Sequence, residues 1–210
     1  MNSRKIIESL NKRYATKTFD SSKKISDENI KTILESARLS PSSLGLEPWK
    51  FILVTNPEIR SKMRTAAYDQ TKVTDAALLI VVAYRTDAEK LVSEVIERTG
   101  RIQNKTKEEL APLQSMLDNT MKMPEDMKKP WLKSQTYIPL GIMIETASLL
   151  GIDNCPMEGF DGPKIDEILE LKDKNLSVST ILAVGYRGDD KYASATKVRR
   201  SYDEVVESIY

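Results

Sequence analysis

Histidine is absent from the 210-residue chain, and cysteine occurs once, at position 155. Without imidazole the protein lacks the general base of Ser-His-Asp triads and Cys-His dyads, and also the usual zinc ligand. A lone cysteine excludes a disulfide within the chain and is typical of a reducing compartment. An enzyme of this composition needs another source of reactivity, and a bound organic cofactor can supply one.

Long apolar runs are also missing. The longest, residues 76–84, is too short to cross a bilayer. The opening segment, MNSRKIIESLNKRY, contains no apolar core of the kind found in signal peptides. We therefore expect a soluble, cytoplasmic protein with no membrane partner.

An excess of either charge is lacking too, since 32 basic and 31 acidic residues leave a net charge of +1. No global field draws the protein to nucleic acid or to anionic lipid, so an anion site must be local. The chain contains only three phenylalanines, too few for a surface that stacks nucleic-acid bases. Nucleic acid is therefore a disfavoured partner.

The apolar periodicity predicts helices in several segments. Ser26 and Asn56-Pro57 are expected to begin two of them, and Gly151 to end a third. Within a charged helical insertion at 87–128, Gly100 and Pro112 are expected to separate the helices. The predicted helices cover residues near 6–10, from 27 to before Pro41, from 57, within 87–128, at 135–150 and at 165–171. The helix at 135–150 is expected to form the hydrophobic centre.

Strands are predicted at 51–54, 76–84, 152–155 and 178–184. The second and fourth are continuous apolar runs, as in central strands that are buried on both faces. The third is expected to end at Pro156. Helices and strands alternate irregularly, which indicates one α+β domain, a three-layer α/β/α sandwich, over residues 1–210. A Rossmann domain is disfavoured, because the eight glycines form no GxG motif, and no Walker A loop is present.

Two basic clusters lie near opposite ends of the chain. KRYATK contains Arg13 and Lys17, and TKVRR contains Lys197, Arg199 and Arg200. Lys197 and Arg199 share one side if the chain is extended there. A guanidinium fork and an ammonium together suit a phosphate group. The clusters either form separate solvated patches or meet around one phosphate.

Two loops are further candidates for ligand contact. PMEGFD follows a predicted strand, and Gly159 within it would let a flat ligand approach the backbone. Open α/β sheets bind ligands at the carboxyl ends of their strands, although a plain turn with Asp161 capping the next helix is equally compatible. SPSSLGLEPW is rich in small residues and suits packing on a planar ligand or on another subunit. A surface loop is the alternative.

Taken together, KRYATKTFD, SPSSLGLEPWKF, PMEGFD and TKVRR resemble, in order and spacing, the FMN-dependent nitroreductase family over essentially the whole chain. The resemblance is nearest to the oxygen-insensitive NAD(P)H nitroreductases and their dihydropteridine reductase and quinone reductase relatives. It implies an intertwined homodimer with an FMN at each of two interface sites. The tail, at about 201–210, would cross to the partner subunit as an exchanged strand.

The resemblance also implies a set of cofactor-binding positions and no metal. They are Arg13, Tyr14, Ala15, Lys17, Pro41, Ser42, Ser43, Asp69, Lys72, Arg101, Pro156, Met157, Glu158, Gly159, Lys197 and Arg199. Arg13, Lys197 and Arg199 would hold the phosphate. The backbone N–H groups of Glu158 and Gly159 would face N5 and O4 of the flavin.

Other positions in this set are implied to act at the ring edge or from the second subunit. Lys17, aided by Lys72, would stabilise negative charge at the N1/C2=O edge of the reduced flavin. Residues 41–43 would come from the partner subunit. Asp69 and Arg101 match positions near the flavin and the nicotinamide.

The implied reaction passes two electrons from NADH or NADPH through FMN to a nitroaromatic, a quinone or a similar flat acceptor. No catalytic side chain is required, because the flavin carries the hydride. The missing GxGxxG motif agrees with a nicotinamide that visits rather than resides. One open flavin face must then serve two ligands in turn, which predicts ping-pong kinetics. Flavin or dihydropteridine reduction is the alternative within the family.

Three departures from the family pattern concern the acceptor more than the cofactor. Ala15 replaces a common serine, Asp69 replaces a frequent asparagine, and residues 44–47 replace a more polar loop. A carboxylate is unfavourable beside an anionic reduced flavin. These departures keep open a second interpretation, a flavin-binding protein with little turnover.

Overall fold

A computed structural model describes residues 2–210. Its helices are α1 (Ser3–Lys12), α2 (Asp27–Arg38), α3 (Pro57–Ala66), α4 (Lys72–Asp75), α5 (Ala88–Gln103), α6 (Lys107–Met121), α7 (Glu125–Gln135), α8 (Tyr137–Leu149) and α9 (Gly162–Ile168). Its strands are β1 (Trp49–Leu53), β2 (Leu78–Arg85), β3 (Asp153–Met157) and β4 (Leu176–Gly185). Short 3₁₀ turns lie at Ser43–Gly45 and Lys172–Lys174.

The four strands form one antiparallel sheet in the order β1-β2-β4-β3. The two apolar runs of the sequence are the central strands β2 and β4, as predicted. The rule for carboxyl ends of parallel strands does not apply, because neighbouring strands run in opposite directions. The expected end of the third strand at Pro156 is also wrong, since Pro156 lies inside β3 opposite Leu182. Proline is tolerated there because β3 is an edge strand.

Alternate residues of the central strands enter two separate cores. Leu79, Val81 and Ala83 of β2 pack with residues of α3, α4 and α9, whereas Leu78 and Ile80 pack with residues of α2 and α8. The side-chain period of two in a strand produces this division. Helices therefore cover both faces of the sheet, and the predicted three-layer α/β/α architecture is confirmed.

Local signals place several helix ends where the sequence predicts them. The Ser26 hydroxyl accepts from the Asn29 N–H, and the Asn56 side chain accepts from the N–H of Glu58. Each satisfies an amide that the first helical turn leaves unpaired. Gly151 follows α8 at a φ of +76° and ends it as expected.

The helical insertion contains α5, α6 and α7, which enclose a third apolar cluster. Gly100 and Pro112 lie inside α5 and α6, so their predicted role as separators is wrong. A capping box between Thr106 and Glu109 starts α6 instead. A Cβ at Gly100 would lie 3.3 Å from the Leu110 side chain, so glycine permits the close approach of the two helices.

Helix α8 lies against one face of the sheet and is not the hydrophobic centre that the sequence predicts. Its residues Met143 and Ala147 are buried on the side that faces the sheet, whereas its residues Ile138 and Leu149 are more than one third exposed. The tail at 201–210 forms neither helix nor strand and is exposed along its length. Its predicted path across a partner subunit stays a prediction.

Candidate active site

The two basic clusters meet around one cavity of about 650 Å³. Arg13 and Lys17 line it from the N-terminal side, and Lys197 and Arg199 from the C-terminal side. Arg187, which follows β4, adds another cation. The chain thus brings together, in three dimensions, charges that stand nearly two hundred positions apart in the sequence.

Lys197 connects the two sides directly. Its ammonium donates to the backbone carbonyls of Leu10 and Arg13, where α1 ends. The last carbonyls of a helix have no partner within it, and the helix dipole is negative there. Burial, together with the charges of Arg13 and Arg199, lowers the pKa of Lys197. Two of the three ammonium donors are occupied, and one remains for a ligand.

Asp190 is buried at the junction between the two clusters, with 7% of its surface exposed. One carboxylate oxygen accepts from the Lys17 N–H at 2.6 Å, the Thr18 N–H at 3.2 Å and the Tyr14 hydroxyl at 2.9 Å. The other accepts from the Tyr192 N–H at 3.0 Å. Burial opposes ionisation of Asp190, but these donors outweigh it and lower its pKa.

Tyr14 and Arg187 extend this junction towards β3. Burial, reinforced by the hydrogen bond to Asp190, raises the pKa of Tyr14 to about 12. The Arg187 guanidinium lies 4.8 Å from the centre of the Tyr14 ring, within cation–π range. The same guanidinium pairs with Asp153 of β3, with Nε 2.9 Å from Oδ1.

Several buried polar atoms beside the cavity have no hydrogen-bond partner within the described chain. They are Nε of Arg13, Oγ1 of Thr16 and Oδ1 of Asn154. A bridge between Ala15 and Asn154 attaches the N-terminal segment to β3, with the Thr16 N–H donating to the Asn154 carbonyl at 3.2 Å. Buried polar groups are almost always satisfied, so these atoms indicate a missing polar partner.

Lys72 adds a cation from α4. It is only 9% exposed, and between residues 2 and 210 its ammonium forms no ion pair. Burial raises the pKa of the Cys155 thiol, while the charges of Lys72, Lys17 and Arg13 together act to lower it. Lys72 does not itself line the cavity between the two basic clusters.

The segment after β3 is held from two sides. The Glu158 carboxylate accepts from the Tyr137 hydroxyl, and burial followed by this bond raises the pKa of Tyr137 to about 12. The Gly159 carbonyl accepts from the Gln70 side chain at 2.7 Å. Gln70 therefore connects this segment with the one that carries Lys72. Pro156 is partly buried and Met157 fully buried in β3.

Asp69 stands apart from the cationic group. Its carboxylate pairs with Arg64 at 2.7 Å, and 79% of the side chain is exposed. Tyr68 and Asp69 have φ values of +55° and +56°, a left-handed conformation that is uncommon outside glycine. Two such residues in sequence mark this turn as strained.

None of residues 156–159 lines the cavity, and the remaining predicted positions are not brought to it by this chain alone either. Ser42 accepts from the Glu47 N–H, and the Ser43 N–H donates to Gln135. Pro41 and Arg101 are exposed. Among the contacts of residues 2–210, none connects these positions with the cationic cluster.

Sequence reasoning missed three residues that hold the site together, Asp190, Arg187 and Gln70, and also Arg64, which pairs with Asp69 away from the cationic group. The sequence offers a cue for two of these residues, because Arg187 and Asp190 lie in a polar turn directly after a core strand. Their partners cannot be inferred locally, since 173 positions separate Asp190 from Lys17.

Comparisons with known proteins identify the family of the chain. The nitroreductase family model matches residues 10–186. The chain belongs to the nitroreductase family. A protein from Staphylococcus epidermidis, named provisionally as an NAD(P)H nitroreductase, is 37% identical over 211 residues, which cover 96% of this chain and 95% of that one. Family membership makes the protein an oxidoreductase.

Solved structures support the fold. A nitroreductase-like protein from Streptococcus mutans superposes with a TM-score of 0.87 at 22% identity, covering all of both chains. A protein from Exiguobacterium sibiricum, provisionally named a nitroreductase and solved in complex with FMN, has a TM-score of 0.81 at 20% identity. The superposition covers 98% of that chain and all of this one. Within residues 2–210, no helix is long and apolar enough to span a bilayer.

The site of this nitroreductase fits FMN on chemical grounds. The phosphate requires positive donors, and the cavity has them on both walls. The orphaned Nε donor of Arg13, a residue of the cavity lining, suits a ligand that carries acceptor atoms. Gly159 leaves room beside the backbone, because a Cβ there would meet only the Gln70 side chain, at 3.6 Å.

Proposed function

We propose that this nitroreductase binds FMN and transfers two electrons from NADH or NADPH to flat acceptors such as nitroaromatics and quinones, by ping-pong kinetics in a homodimer. The observation that carries the proposal is the convergence of Arg13, Lys17, Lys197 and Arg199 on one cavity. No carboxylate side chain lines that cavity within the described chain, so an anion that binds there meets no negative charge in the lining itself. FMN, when bound, supplies the hydride and electron chemistry.

The residues of the chain divide the binding task. Arg13, Lys197 and Arg199 hold the phosphate, and Tyr14 and Ala15 belong to the wall between the phosphate and the ring. Lys17 and Lys72 provide positive charge for the edge of the ring that becomes negative on reduction. The segment from Pro156 to Gly159 is braced by Gln70 and Tyr137, and the backbone N–H groups of Glu158 and Gly159 serve as its donors.

The second subunit completes the proposed site. Pro41, Ser42 and Ser43 contribute from the partner, which accounts for their distance from the cavity within one chain. The exposed apolar residues of α8 and of the tail supply surface for the interface. Arg101, exposed near the end of α5, is assigned to the nicotinamide side.

A reduction assay under anaerobic conditions tests the proposal. The purified protein is expected to be yellow, to bleach when NADH or NADPH is added, and to recover its colour with menadione or a nitroarene. Yellow protein that does not bleach would support a flavin-binding protein with little turnover. Colourless protein that cannot be loaded with FMN would contradict the proposal. A stable ternary complex of donor, enzyme and acceptor would rule out the ping-pong order.

A further inference from the structure

Asp190 presents an electrostatic problem. It is a buried carboxylate beside a cavity that Arg13, Lys17, Lys197 and Arg199 prepare for an anion. Its charge repels a phosphate, and a nearby negative charge on its own can only weaken phosphate binding. The benefit of Asp190 to the site must therefore come from geometry.

The four donors to Asp190 identify that geometry. Three of them, on Tyr14, Lys17 and Thr18, belong to the N-terminal wall of the cavity. The fourth, on Tyr192, belongs to the C-terminal wall that continues to Lys197. One side chain thus fixes the backbone of both walls. Three of the four donors are backbone N–H groups, and a neutral side chain at position 190 would accept from them more weakly than the carboxylate does.

We propose that Asp190 is the positioning residue of the phosphate site. It keeps residues 14–18 and 190–192 in register, so that the cations of both walls point at one phosphate. The inference rests on the proposed FMN function and extends it, because it assigns phosphate recognition to a carboxylate that does not touch the phosphate.

The two effects of Asp190 have opposite signs, which makes the proposal testable. Asp190→Asn preserves the size of the side chain but removes the charge and one of its two acceptor oxygens. If charge were the whole effect, the variant would bind FMN more tightly than the wild type. If Asp190 positions the walls, the variant binds FMN more weakly.

The experiment is a titration of the flavin-depleted full-length protein with FMN and with riboflavin, which lacks the phosphate. For Asp190→Asn we expect FMN affinity to fall about ten- to hundredfold, the scale of lost charge-assisted hydrogen bonds. Riboflavin affinity should change less than about threefold, because the ring site keeps its own contacts. Asp190→Glu, which retains the carboxylate, should recover part of the loss.

Asp189→Asn is the matched control. Asp189 is the exposed neighbour, so this variant makes the same change of net charge without touching the junction. It should bind FMN as the wild type does or slightly more tightly. Should Asp190→Asn fail to fold, Tyr14→Phe removes one donor and leaves the carboxylate, and FMN affinity should then fall about three- to tenfold.

Two results would overturn the inference. One is FMN affinity in Asp190→Asn that equals or exceeds that of the wild type. The other is an equal loss of FMN and riboflavin binding, which indicates general damage to the fold. A wild-type protein that takes up neither flavin gives a different result, because it refutes the proposed function itself.

Discussion

The Lys197 ammonium donates to the backbone carbonyl of Arg13, although 184 positions separate the two residues. The contact closes one side of the cationic cavity and neutralises the carboxyl end of α1. Two like charges are thereby close together before any ligand arrives. Burial, followed by the charges of Arg13 and Arg199, lowers the pKa of Lys197. An anion relieves this repulsion.

Removal of Lys197 should therefore weaken the phosphate interaction. We expect Lys197→Ala to reduce FMN affinity about tenfold, because one charge-assisted hydrogen bond is lost. Fluorescence titration with FMN measures the change. Arg200→Ala is the control, since Arg200 is an exposed cation of the same segment outside the cavity lining. Equal FMN affinities in Lys197→Ala and Arg200→Ala would refute the assignment of Lys197.

Lys72 should have opposite effects on the flavin-free and flavin-bound protein. Lys72→Gln removes a buried cation that has no counter-charge between residues 2 and 210. Unfolding of the flavin-free chain should then require about 1 kcal/mol more free energy. The bound flavin should become harder to reduce, by about 30 mV or more, because positive charge near its edge is lost.

Denaturant unfolding and spectroelectrochemistry measure the two quantities. Lys62→Gln, an exposed position on α3, is the matched control and should change neither. A Lys72→Gln midpoint potential equal to that of the wild type would place Lys72 away from the ring.

Asp190 predicts a pH dependence of stability. Its folded pKa is lower than the unfolded reference of 3.8, so its stabilisation is complete above that pH and disappears as the pH falls through the folded value. The wild type should exceed Asp190→Asn in unfolding free energy at pH 6. The difference should shrink as the pH is lowered below about 4, because folded Asp190 becomes protonated as the pH falls through its lowered pKa and both side chains are then neutral. Urea unfolding at several pH values tests this, and a difference that grew on acidification would contradict it.

The tail should matter for assembly. Residues 201–210 contain Val205 and Ile209, which are exposed in the single chain. Deletion of this segment is expected to shift the protein from dimer to monomer and to lower FMN retention, because residues 41–43 would no longer reach the partner's cavity. Sedimentation velocity measures the shift, with Lys191→Ala as a full-length control. A truncated protein that stays dimeric would exclude the tail as the main interface element.

Local chemistry made much of the fold predictable. Ser26 and Asn56 fix helix starts through hydrogen bonds to amides three or fewer positions away, and β2 and β4 are recognisable as uninterrupted apolar runs. The error at Gly100 has a tertiary cause. This glycine lies within α5 because a larger residue would crowd the Leu110 side chain of the next helix. Pro112 lies inside α6 because the capping box at Thr106 starts this helix well before it.

The candidate site was predictable only in part. Charge identified the basic residues, because cations of one sign collect at both ends of a nearly neutral chain. The carboxylate that joins them could not be recognised, since two of its four hydrogen bonds come from backbone N–H groups of a distant segment, which leave no mark in side-chain identity. Arg64, the partner of Asp69, was missed because the bond spans a left-handed turn rather than a helical interval.

The buried thiol of Cys155 has a practical consequence. Its pKa is raised by burial, so at neutral pH it reacts slowly with maleimides and iodoacetamide. A cysteine introduced on the exposed tail would therefore accept a fluorophore almost alone. Energy transfer between that label and the flavin would then report, in solution, how far the end of the chain travels from its own cavity.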